Sequence, residues 1–402
     1  YHKNIHFLLS QVNTIFLAIH QLTSSSTYIV LIAFGLKGSF SFDIRLLEKE
    51  HGTSTMSTEH YQFVILGGGI NGLSCAIRLS NEFPCSTIQI ISDNFSPNTT
   101  SDVAAGLWGP YALGGTSTTE CRRWAQQTHD YFLQLWRGGY ADRCGICLVP
   151  VLELYETDTT VPWWHDIVFG FSKTKFLKPD DTNNHQDSFY TAFSYITFTC
   201  EPSKIMKHYR EVLSTRNVTL RQEHLTSLRS LENMIIHPNA IIINCLGLGS
   251  QSVFKDADLF PLRGQVQKVK AEFVFHSYAN ESCYIIPNTD TVILGGTKQK
   301  HHNLQVNPID RYDIRAQCLT VLPALRSAVN VKDFVGLRPV RSSGVRLEVD
   351  HAVFANGEIH VIIHNYGHGG AGITLAWGCA GEVTRFVQEY GVDTSKCMYH
   401  KL

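Results

Sequence analysis

The sequence predicts an α/β fold of Rossmann type, and three observations predict it. A short apolar run, YQFVILGGG from Tyr61 to Gly69, ends in three glycines and has the continuous β-branched and aromatic character of a parallel strand covered on both faces. Beyond it, Leu73, Ala76, Ile77 and Leu79 recur at helical spacing. A second strand pattern, STIQIISD, then closes a strand–helix–strand unit on Asp93, 21 residues past Gly72.

Each element has a physical reason. Gly67 suits the tight turn, Gly69 lets the backbone approach a pyrophosphate, and Gly72 packs the helix on the strand. Ile70 lies in the same turn, at the helix N-terminus, where free N–H groups and the positive dipole end favour an anion. Asp93 stands where this fingerprint places a carboxylate for a ribose hydroxyl, and equally where a strand-end cap would stand. Together the glycines and Asp93 predict a dinucleotide site.

With 402 residues the chain is long for one core, so two domains are expected. Its 44% hydrophobic and 17% charged content is that of a globular chain, not a disordered one. A net charge of -1 supplies no field to gather nucleic acid, so a charged ligand must be held by local groups. The cysteines number 11 and are scattered, as expected of reduced, mostly buried thiols. Cys144-Gly-Ile-Cys147 has no second pair, and no metal site is predicted. Of four N-x-S/T sequons, those at Asn94 and Asn98 fall in the loop after Asp93, where a glycan would not fit; a non-secreted protein is expected.

Residues 1–55 differ from the rest. Their apolar patches, IFLAIH and YIVLIAFGL, are each about half the ~20 residues that span a bilayer, so no membrane partner is expected. The second could form the core of a signal peptide. The favoured reading is an upstream leader or extension outside the fold, with Met56 as the true start.

After Asp93 comes NFSPNTTSDVAAGLWGPY. Thr99, Thr100 and Ser101 offer three consecutive hydroxyls to phosphate oxygens, and Gly106 and Leu107 let the backbone pass close to a flat ring. The competing explanation is a helix cap, which would account for Ser101 or Asp102 but not the whole run.

TTSDVAAGLWGPY, GLRPVR (336–341) and HNYGHGGAGITLAWG (364–378) together resemble the D-amino acid oxidase and D-aspartate oxidase family, in collinear order from Tyr61 to about Tyr390. The resemblance implies a Rossmann-type FAD-binding domain with a second, substrate domain built on a mixed β-sheet. The first would comprise about residues 56–150, 200–255 and 335–395, the second about 150–200 and 255–335. It places Leu225, Cys245 and Gly247 against FAD, and likewise Gly369, Gly370, Gly372, Ile373 and Thr374 at the start of the last helix. That helix would aim its dipole at the flavin N1–C2=O region. His364 and His368 are expected to be structural.

The resemblance further implies FAD-dependent oxidative deamination of a small-molecule D-amino acid, by hydride transfer to flavin N5 and reoxidation by molecular oxygen, in a monomer or homodimer. Hydrogen peroxide, a 2-oxo acid and ammonia would result. Arg338 would hold the substrate carboxylate through its planar fork, Tyr284 would hydrogen-bond the same carboxylate, and the Gly370 carbonyl would hold the amine. Lys298, in TKQ, stands where the D-aspartate branch carries a basic residue. Acidic substrates are therefore favoured over neutral ones. Against this, the loop VFHSYANESC lacks a further arginine found in that branch, and Tyr278 within it could cover a neutral side chain. An oxidase of another amine and an inactive flavin-fold binding protein are the rival readings. The terminal His400-Lys401-Leu402 resembles a peroxisomal address, which makes the peroxisome the expected location, with the cytoplasm next and secretion only if the leader is real.

Overall fold

The structure, a computed structural model, describes residues 16–21, 28–36, 39–47, 62–177, 189–232 and 239–390. Met56 and the terminal tripeptide lie outside the described residues. Two compact units divide the chain, one up to Glu59 and one from His60 onward. In the first, β1 (Phe16–Gln21), β2 (Tyr28–Leu36) and β3 (Ser39–Leu47) pair in that order as an antiparallel sheet. The segment expected to be a leader thus contains regular strands. Its β-branched and aromatic patches are strand formers, and pairing satisfies their backbone groups.

The second unit opens with β4 (Gln62–Gly68), α1 (Ile70–Glu82) and β5 (Thr87–Phe95). There follow α2 (Thr100–Val103), α3 (Thr118–Arg137), α4 (Ala141–Cys144), β6 (Ile146–Tyr155), β7 (Phe169–Leu177) and β8 (Phe189–Cys200). The chain continues through α5 (Pro202–Leu213), β9 (Val218–Gln222), α6 (Arg229–Glu232), β10 (Ile241–Asn244) and α7 (Ser250–Val253). Next come β11 (Leu259–Lys270), β12 (Ser277–Ala279), β13 (Tyr284–Pro287), β14 (Val292–Gly295) and α8 (Pro308–Val321). It closes with β15 (Val329–Arg341), β16 (Arg346–Val353), β17 (Ile359–Tyr366) and α9 (Gly372–Glu389).

Two sheets organise these elements. One has the order β16-β17-β10-β4-β5-β9 and is parallel except for β16 at its edge. Phe63, Val64, Ile65 and Leu66 of β4 are all fully buried, as a strand covered on both faces requires. Phe63 and Ile65 face a helical layer with Leu73 and Ile77 of α1, Trp124 of α3 and Ala380 of α9. Val64 and Leu66 face the opposite core with Ile91, Ile242 and Ile362. The other sheet has the order β15-β11-β14-β13-β12-β6-β8-β7; it is mixed, because β12 and β6 run parallel while its remaining pairs are antiparallel.

The parallel sheet draws on residues 62–95, 218–244 and 346–366, the mixed one on 146–200 and 259–341. The chain thus crosses between them several times, and β15 runs from the mixed sheet straight toward β16 of the parallel one. Behind the parallel sheet α9 crosses α3 so closely that a Cβ on Gly378 would overlap the Trp124 backbone. Gly378→Ala is therefore expected to lower stability by about 1–3 kcal/mol through overpacking, read as a fall in the thermal midpoint; an unchanged midpoint would contradict this packing.

Candidate active site

The glycine turn after β4 is built by close approach. Gly67 has φ +108°, and a Cβ there would overlap the Cys245 carbonyl oxygen at the end of the neighbouring β10. A Cβ on Gly72 would overlap the Gly67 carbonyl oxygen, so α1 can sit this near β4 only with glycine there. Gly69 is the N-cap of α1 and supplies no side-chain cap. The first backbone bond within α1 is donated by Leu73 to Gly69. The Ile70 N–H donates to Ser101 Oγ at 3.1 Å, which leaves the Ser101 hydroxyl hydrogen for another acceptor, while the Asn71 and Gly72 N–H groups face outward from the first turn.

A second helix N-terminus mirrors the first. β17 passes through Gly367 and Gly369, with φ +84° and +53°, into α9, whose N-cap Ala371 has no side-chain cap. The first backbone bond there runs from Leu375 to Ala371. Gly372, Ile373 and Thr374 therefore keep N–H groups that no turn of their own helix accepts. Asn71 Nδ2 and His368 Nδ1, 3.3 Å apart, join the two glycine turns. These two uncapped helix starts, at the carboxyl ends of β4 and β17 on either side of β10, fit a bound dinucleotide.

Several expected cofactor residues take a different part. The Thr99 hydroxyl and N–H both donate to Asp102 Oδ2, at 2.7 and 2.9 Å. Thr99 thus caps α2, with both its N–H and its hydroxyl given to Asp102. Thr100 is exposed, and Ser101 is the one of the three whose hydroxyl meets the N-terminus of α1. Thr374 Oγ1 is engaged by Gly109, accepting from its N–H and donating to its C=O at 3.1 Å, and the Ile373 side chain is buried in the core. For both, the side chain is occupied within the protein and the backbone N–H has no acceptor in its own helix. Leu225 packs in the apolar core with Val64, Leu66 and Ile91. The Asp93 carboxylate is exposed beside His224 Nδ1 at 3.3 Å. Gly106 and Leu107 strap the loop to β8, through Cys200 N–H to Gly106 O at 2.8 Å and a bridge from Leu107 to Thr199. Gly247, with φ +56°, turns the chain beside Pro339.

At the other end, four expected residues converge on one that the sequence reading passed over, Tyr111. A Cβ on Gly370 would overlap the Tyr111 ring, and one on Gly369 the Ala112 carbonyl. Gly369 N–H also donates to Pro339 O at 2.9 Å, which brings β15 alongside. Arg338 Cζ lies 5.9 Å from the Tyr111 ring centre and Lys298 Nζ 5.2 Å, a cation–π arrangement. The guanidinium lies over Gly264 and donates to Thr297 O at 3.0 Å. The Tyr284 ring lies over Gly295, where a Cβ would overlap it. Burial pushes the Tyr284 phenol above its ordinary pKa, opposed by Arg338 beside it, so it stays a donor. Among the described residues neither Arg338 nor Lys298 forms an ion pair, whereas the nearby Arg341 pairs with Asp256 at 2.8 Å. Tyr278 is partly buried and packs against the small core of Val269, Val274 and Ile314.

The family described as FAD dependent oxidoreductase (DAO) matches residues 62–386. The chain belongs to this family. FAD is accordingly the cofactor. The chain is 34% identical over 335 residues to D-aspartate oxidase from Homo sapiens, covering 82% of this chain and 95% of that one. It is 33% identical over 329 residues to D-amino acid oxidase from Dugesia ryukyuensis, covering 81% and 97%. Among solved structures, glycine oxidase from Bacillus cereus shares the fold, with TM-score 0.66 and 18% identity over 82% of this chain and 97% of that one.

Among the described residues no histidine ring meets the Tyr111 ring. His364 contacts Asn244 at 3.0 Å and Asp350 at 3.4 Å, and burial lowers it to about 4. Burial also lowers His368 and His129 to about 4. In the unfolded chain these imidazoles titrate near about 6.5. The unfolded state therefore binds protons first, and the stability they contribute is full above that value and lost as pH falls toward 4. The denaturation midpoint should drop across this window, while kcat/KM shows no histidine-type break there that His364→Asn or His368→Asn removes. Loss of such a break in either variant would make that imidazole a participant.

Proposed function

We propose that the protein oxidatively deaminates D-amino acids and favours those with a second carboxylate. The observation that carries this reading is the pair of unpaired cations at Tyr111. A half-buried guanidinium without a carboxylate is unfavourable unless a ligand supplies one, and Arg338 offers the planar fork that a carboxylate matches. Tyr284 adds a neutral donor to the same anion. Lys298 is a second cation beside the same ring, which an alanine-like side chain would leave unmatched and an aspartate-like one would neutralise. The D-handedness is supported by the names of both relatives.

When bound, FAD would supply the acceptor for the hydride of the substrate Cα, with molecular oxygen as the terminal oxidant and hydrogen peroxide as its product. The protein's part is orientation. Arg338 and Tyr284 fix one carboxylate, the Gly370 carbonyl accepts from the amine, and Lys298 holds the far end. No carboxylate or imidazole is needed at the reacting carbon, since holding it in line supplies most of what the chain contributes. The imino acid then hydrolyses to a 2-oxo acid and ammonia.

The test compares D-aspartate with D-alanine in the FAD-loaded protein and in Lys298→Ala. Losing one charge-assisted hydrogen bond should lower kcat/KM for D-aspartate roughly tenfold or more, with D-alanine changed by less than about twofold. Undiminished turnover of D-aspartate in Lys298→Ala would remove the role given to Lys298, and a higher kcat/KM for D-alanine than for D-aspartate in the unsubstituted protein would make neutral D-amino acids the favoured substrates.

A further inference from the structure

β11 presents two faces with different tasks. On one, Gly264 makes room for the Arg338 guanidinium. On the other, Arg263 is 1% exposed and all five of its N–H donors are engaged. Its Nε donates to Asn303 O at 2.8 Å, Nη1 to Gln299 Oε1 and Asp310 Oδ2 at 2.7 and 2.8 Å, and Nη2 to Gln265 Oε1 and Gln305 O at 2.8 and 2.7 Å. Gln299 Nε2 in turn donates to Asp310 Oδ1 at 3.0 Å. Backbone bonds in both directions join Arg263 and Gln299, at 2.7 and 3.1 Å.

Every residue from Lys300 to Ile309 is exposed. The segment has no buried apolar side chain to anchor it, so its place is set by these polar contacts and by Gln265, which bonds Asn307 from both ends of its amide. Gln299 is turned toward Arg263, and in extended backbone the preceding residue projects to the opposite side. That residue is Lys298, directed at Tyr111. One residue earlier, Thr297 accepts from Gln265 N–H through its hydroxyl at 2.9 Å and from Arg338 through its carbonyl.

We propose that Arg263 is a positioning residue for substrate selection: by locking Gln299 and the following loop, it holds Lys298 where the second carboxylate of a dicarboxylic substrate lies. The Arg263–Asp310 pair touches neither substrate nor cofactor. It acts through the backbone of residues 297–299, which links the two carboxylate-binding cations. This inference rests on the role given to Lys298 above.

The test uses the FAD-loaded full chain with Arg263→Lys and Asp310→Asn, each alone and combined with Lys298→Ala, assayed on D-aspartate and D-alanine. Either substitution should raise KM for D-aspartate about fivefold or more, with kcat and both constants for D-alanine within about twofold. In the Lys298→Ala background neither should change D-aspartate turnover further, because the group being positioned is gone. Equal losses on both substrates, or losses that add to that of Lys298→Ala, would assign Arg263 a purely structural role and overturn the proposal. Should Arg263→Lys not fold, Asp310→Asn decides on the same criteria. If Lys298→Ala leaves D-aspartate turnover intact, the role of Lys298 falls and this inference with it. If Lys298→Ala impairs D-aspartate turnover and the other two do not, only this inference falls.

Discussion

Gly369 and Gly370 meet the backbone of Ala112 and the ring of Tyr111 at distances that no side chain on either glycine would permit. The reactive end of the molecule is assembled through that contact. It seats the loop after α2 on the turn that leads into α9, and the Gly369 N–H bond to Pro339 O attaches β15 to the same turn. Arg338 is the residue before Pro339. The contact thus brings the free N–H groups of α9, the Gly370 carbonyl, the Tyr111 ring and the guanidinium into one neighbourhood, although they come from three separate stretches of chain. At the other end Gly67 and Gly72 achieve the same effect for β4, β10 and α1, again because backbone replaces side chain at the point of contact.

The charges divide into two kinds. Arg263 and Arg341 have carboxylate partners at 2.8 Å and more bonds besides, as burial of a guanidinium demands. Arg338 and Lys298 have none among the described residues: Arg338 has the Thr297 carbonyl and the Tyr284 phenol beside it, and both cations lie near the Tyr111 ring. A cation–π contact offsets little of what an absent counter-ion would supply, so the site is left electropositive in a protein whose overall charge is near neutral. The attraction for an anionic substrate is local, in line with the weak net charge.

What the sequence made legible was whatever depends on neighbours in the chain. The β4–α1–β5 unit could be read because apolar periodicity and turn glycines are local, and a helix cap was already the competing explanation for the threonine run where Asp102 takes Thr99. Tyr111 could not be read as a site residue, although it closes the motif TTSDVAAGLWGPY, since its importance comes from Gly370, far along the chain. Leu225 and Thr374 show the opposite dependence: their positions suit a cofactor contact, and their side chains also have protein partners far along the chain, an apolar core and the Gly109 peptide. The strands in residues 16–47 show the limit of composition alone, because an apolar patch of nine residues serves a signal peptide or a strand equally well until its pairing is known.

Arg263 illustrates how much selectivity can be hidden from a linear reading. In PLRGQV it is an unremarked basic residue, yet strand alternation places it on the reverse of the sheet from Arg338, with Gly264 between them. Because the two faces of β11 are separate, the segment from Lys300 to Asn307 is anchored on the side away from the Arg338 guanidinium. Only the register of Gln299 against Arg263 must hold for Lys298 to keep its direction. A fold arranged in this way can change the side chain it accepts by altering one loop anchor while the chemistry at Cα is left in place.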